Sequence, residues 1–116
     1  MDSRLEKALA FSNYNKTLNL KRTTLKEKSD AKLTLAYKGG IFKAERSLIV
    51  FAQMLIDQGR ADNIPLLDIN DNPILVEDLN EFKNLLLDKY FDVTLEYYRE
   101  YQKIKRSRSV ETLIDL

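Results

Sequence analysis

The side chains in this sequence best equipped for chemistry are carboxylates, and the most suggestive spacing is Asp68, Asn70 and Asn72. Oxygens at alternate positions are what the first three side-chain ligands of a calcium loop supply. The sequence then departs from such a loop. Its sixth position, which needs glycine for a sharp turn, is Pro73, and its twelfth, which needs a bidentate glutamate, is Leu79. Asn70, Asp71, Asn72 and Pro73 all favour turns, so a hairpin turn accounts for the same residues. A second row, Asp88, Asp92, Glu96 and Glu100, recurs every four residues and falls on one helix face. Such a row suits magnesium-assisted or general acid–base work. No glycine-rich phosphate loop accompanies it, and a solvated helix face is the commoner meaning.

Cysteine and histidine are both absent from the 116 residues. Disulfides, thiolate and imidazole metal sites, cysteine nucleophiles and histidine-based triads are therefore excluded. No catalytic residue, cofactor-binding residue or metal ligand is assigned, and the expectation is a protein that is not an enzyme and carries no cofactor.

Charge is nearly balanced overall, with 19 basic and 18 acidic residues, but not along the chain. Residues 1–58 hold 11 basic and 6 acidic side chains, while residues 59–116 hold 8 and 12. This bipolarity favours the two halves packing together or a head-to-tail arrangement of copies. Lys16, Lys21, Arg22, Lys26 and Lys28 form the densest basic stretch of the first half. It lacks interleaved aromatics and any DNA-binding motif, and the acidic row is an available partner, which weighs against nucleic acid. No apolar run approaches the roughly 18–20 residues of a membrane span, and residues 1–6 lack the apolar core of a signal peptide. The expected location is the cytoplasm.

These residues must be positioned by elements that the sequence marks in turn. Ser3, three residues before Glu6, resembles a capping box, and a thin apolar stripe extends a helix over about 3–32. Phe11, Leu18 and Leu25 stand seven apart on it, as at a helix–helix seam. The run of Asn13, Asn15, Thr17 and Asn19 weakens helix propensity and invites a break near residue 13. Leu33, Leu35 and Tyr37 alternate before Gly39-Gly40, predicting a hairpin over about 33–43, with a helix extension capped by Gly39 as the competing reading. Leu48, Ile49, Phe51, Ala52, Leu55 and Ile56 give a wide apolar arc over a helix at about 45–58, expected to be the most buried, with Gly59 placed to end it. A second hairpin follows at about 65–76. Asp78 and Glu81 then open a helix reaching about residue 106.

That last helix has apolar residues on two faces. Leu79, Phe82, Leu86, Val93, Tyr97 and Ile104 form one stripe. Leu87, Phe91, Leu95 and Tyr98 form the other, and are the candidate oligomer interface. The second stripe needs another helix, either the first segment of the same chain or a copy of the chain. Beyond the basic residues 103–108, Val110, Leu113 and Ile114 have i, i+3, i+4 spacing, with Glu111 and Asp115 between them and Leu116 following. Val110, Leu113, Ile114 and Leu116 are the candidate partner-binding residues, as an apolar-acidic peptide suits a hydrophobic groove. Folding back on the chain's own core is the alternative.

With these residues in view, the chain resembles small uncharacterised proteins of T4-like phages of marine cyanobacteria. The likeness lies in Gly39-Gly40-Ile41-Phe42-Lys43, in Leu67-Asp68 with Asn72-Pro73 and Asp78-Leu79, and in the stretch from Tyr97-Tyr98 through Ser107-Arg108-Ser109-Val110-Glu111 to Leu116. It implies a phage protein of the host cytoplasm or the virion, and assigns no functional residue. The tail is also similar in style to peptides by which phage polymerases and late-transcription accessory proteins grip a sliding clamp. Thr112-Leu113-Ile114-Asp115-Leu116 differs from them in having no bulky aromatic.

Together these features predict a predominantly helical α+β protein, with one domain over 1–106 and a tail over 107–116. The expected function is non-enzymatic interaction or assembly, through a homo-oligomer built on the long helices. The alternative is a transcription or replication accessory factor that docks on a polymerase or clamp through its tail.

Overall fold

A computed structural model describes residues 2–107. The elements run α1 (Ser3–Lys32), β1 (Thr34–Tyr37), β2 (Gly40–Lys43), α2 (Arg46–Asp57), β3 (Asp62–Leu67), β4 (Pro73–Asp78) and α3 (Leu79–Arg106). Each strand pair is a separate two-stranded antiparallel hairpin, β1 with β2 and β3 with β4. About two-thirds of the structure is helical, and the α+β architecture is the one the sequence predicts. The described residues form two compact units, one of residues 2–29 with 95–107 and one of Asp30–Thr94.

Local chemistry sets the element ends. At the start of α1 the Asp2 carboxylate accepts the Arg4 amide at 3.1 Å, so Asp2 does the capping expected of Ser3, which is already helical. The helix runs unbroken past residue 13 to Lys32. Between β1 and β2, Lys38 (φ 46°) and Gly39 (φ 81°) both adopt positive φ. That is what a two-residue type I′ turn demands, and its twist matches that of the strands. The hairpin reading therefore holds over the helix extension. Gly59 (φ 78°) ends α2, with the Arg60 amide donating to the Leu55 carbonyl at 2.9 Å. This six-residue closure is the Schellman arrangement. Asp78 caps α3 by accepting the amides of Asn80 and Glu81 at 3.0 and 3.2 Å.

The unit of Asp30–Thr94 has a hydrophobic core of Phe42, Ala44, Ala52, Leu66, Val76, Leu79, Phe82 and Leu86. Phe82 lies edge-on to Tyr37 and Phe42, with centroids 4.8 and 5.0 Å away. Such edge-to-face pairs add about 0.5–1.5 kcal/mol beyond area burial. Gly40 is required by packing: a Cβ there would come within 2.6 Å of Ile74 Cγ1 on β4. Helix α2 is less buried than its pattern predicts. Only Ala52 is fully buried, while Val50, Phe51 and Met54 are exposed. Its apolar arc is wider than the core the two short hairpins supply.

The other unit joins most of α1 to the end of α3. The Tyr14 hydroxyl donates to the Ser107 carbonyl at 2.8 Å, and the Arg22 guanidinium stands 5.7 Å from the Tyr101 ring centroid. Tyr101 also stacks on Tyr97, and Ile104 is buried. No residue of α1 is fully buried, and the expected seam is only partly used: Leu18 and Leu25 are half-buried and Phe11 is exposed.

Candidate functional site

Asp68 is the most constrained carboxylate among the described residues. It sits just after β3 and is buried. Its Oδ1 accepts the amides of Asn70 and Asn72, both at 2.9 Å, and its Oδ2 accepts the amide of Ile41 from β2 at 3.1 Å. The Ile41 carbonyl in turn accepts the Ile69 amide at 2.9 Å. Asp68 thus closes its own loop and clasps one hairpin to the other. Burial pushes its pKa up, but hydrogen bonds from the Asn72, Ile41 and Asn70 amides and from the Asn72 side chain outweigh this and hold it below the usual carboxylate value. Its lone pairs point at backbone amides. Among the described residues no three acidic side chains converge as a cation would need.

The acidic row follows the face of α3 that its spacing sets. Glu100 pairs with Lys103 at 2.9 Å, one turn along the same helix. Lys21 and Lys28 of the basic stretch line a small pocket of about 100 Å³ together with Glu100, Leu25 and Ile104. Of the acidic row, Glu100 thus shares this pocket with two lysines of the basic stretch.

The two stripes of α3 differ in exposure. Leu79, Phe82, Leu86, Val93 and Ile104 are buried and Tyr97 is half-buried. On the second stripe Leu87 is half-buried, whereas Phe91 is 62%, Leu95 50% and Tyr98 59% exposed. Spacings of four and three residues hold the exposed three on one side of the helix. Within the unit that joins α1 to the end of α3, α1 meets Tyr101, Ile104 and Ser107, while Leu95 and Tyr98 are exposed; Phe91, in the other unit, is exposed as well.

An apolar groove between α2 and β3 was not marked by the sequence. Leu48, Phe51 and Leu55 line one wall and Ile64, Leu66 and Leu67 the other, around about 510 Å³. Arg60, from the turn joining the two elements, is its one charged lining residue and forms no ion pair among the described residues. The width of the α2 arc was the only hint. Val110, Leu113, Ile114 and Leu116 lie outside the described residues. No described helix is long and apolar enough to cross a membrane. Compared with protein-family models, curated proteins and solved structures, the chain gives no match.

Proposed function

We propose that this chain is a non-enzymatic assembly protein that associates with copies of itself along α3. The observation that carries the reading is the row Phe91, Leu95 and Tyr98, exposed on a helix whose other stripe is buried. Large side chains in an unbroken row on a helix are costly to leave in water and are the usual raw material of a helix–helix interface. The use of the best-placed carboxylate supports the non-enzymatic part, since Asp68 is occupied by three backbone amides. Leu87 would lie at the margin of the interface, and a two-fold axis across the stripe would let each copy present the same four residues.

Light scattering coupled to size exclusion on the full chain at micromolar concentration tests this. A defined dimer or larger closed assembly is the expected result. A monomer up to about 100 µM, where an interface worth roughly 6 kcal/mol would already form, removes the reading.

A further inference from the structure

We infer that the α2–β3 groove is a receptor for the segment Ser109–Leu116 of a second copy of this chain. The inference rests on the self-association just proposed, and it adds a second, chemically different contact to it.

The groove's shape and chemistry restrict what can fill it. Its walls are aliphatic and aromatic, and its volume falls in the range of about 300–1,000 Å³ typical of pockets that bury most of a small ligand. Phe51 and Leu67 remain 42% and 61% exposed, so the occupant must bring apolar side chains of its own. Pro65 lies within β3 and has no N–H, which spoils the row of donors an added strand would use. Docking by side chains is therefore favoured over strand addition. Arg60, without an ion-pair partner among the described residues, asks for a carboxylate beside the apolar contacts.

Residues 109–116 answer each requirement. Val110, Leu113, Ile114 and Leu116 supply the apolar groups, Glu111 and Asp115 supply the carboxylates, and no basic residue intervenes. The basic run in the chain, residues 103–108, stops just before this segment, so the charge that meets Arg60 is negative. Exchange of segments between two copies would be reciprocal, giving each groove one occupant and closing the assembly at two.

The test uses a fluorescently labelled synthetic peptide of residues 107–116. The receptor is the full chain carrying Leu113→Asp and Ile114→Asp, so that its own segment cannot compete. Anisotropy should show saturable binding. Phe51→Glu and Leu67→Asp, at exposed positions, should each weaken it by at least about tenfold. Arg60→Glu should weaken it less and remove its dependence on salt, as expected of a rim charge. No saturation at 1 mM receptor overturns the inference. Equal binding of a peptide with Glu111 and Asp115 replaced by lysine, or binding indifferent to all three groove substitutions, overturns it as well. The α3 interface is scored separately by the oligomeric state of Phe91→Glu. If that variant dissociates while the peptide fails to bind, the assembly reading stands and the groove belongs to another occupant.

Discussion

Replacing Phe91 by glutamate puts a charge at the centre of the exposed row on α3 while keeping a residue of good helix propensity. A phenylalanine buries about 150–250 Å² when fully enclosed. With 62% of Phe91 exposed, roughly 120 Å² per copy is available to an interface. At about 25 cal/mol per Å² this contributes up to about 3 kcal/mol per copy. Immobilising side chains takes back part of that, so an increase in the dissociation constant of self-association of at least about 100-fold is expected. Sedimentation velocity across a concentration series reads the constant directly. Because the site is exposed and outside the core, the melting temperature of protein diluted below the dissociation constant should move by no more than about 2–4 °C. Unchanged association with a folded variant would refute the assignment of this face. A large drop in the dilute melting temperature would show instead that Phe91 supports the fold.

Other outcomes follow from the clasp and the turns. Asp68 has a folded pKa below its ordinary value of 3.8, so its stabilising effect is fully present above that value and is lost as pH falls through the lowered one. Asp68→Asn should lower the melting temperature at pH 6, and the gap to the unsubstituted chain should narrow as the pH is taken from 5 towards 2; a constant gap would refute the clasp. Gly40→Ala should cost about 1–3 kcal/mol by overpacking against Ile74, and thermal melts should show Ile74→Ala relieving part of that cost in the double variant. Lys38→Asn, at φ 46° beside Gly39, should stabilise by about 0.5 kcal/mol, since asparagine tolerates that conformation better than lysine. Chemical denaturation resolves the sign, and a loss of stability would show that the Lys38–Glu77 ion pair at 3.4 Å outweighs the turn.

Elements were legible wherever a local signal acts alone. Gly59 marks the end of α2 because only a residue free to take positive φ closes that cap cheaply. Asp78 marks the start of α3 because its carboxylate reaches two free amides within one turn. The turn at residues 68–72 was legible as a turn, but not as a clasp. The Ile41 amide that completes it comes from 27 residues away.

Composition alone excluded thiol and imidazole chemistry, and periodicity together with cap and turn residues set three helices, two hairpins and two apolar stripes on the last helix. Those are properties of single residues and of neighbours three or four apart, and such properties are written locally. Which stripe is buried is a matter of what packs against it. Within one unit, tertiary structure placed α1 on Tyr101, Ile104 and Ser107 and left Leu95 and Tyr98 exposed, and in the other it left Phe91 exposed. It also left the α2 arc wider than its core, opening a groove beside Arg60. Both outcomes depend on how much surface the rest of the chain can cover, a quantity that no local pattern contains.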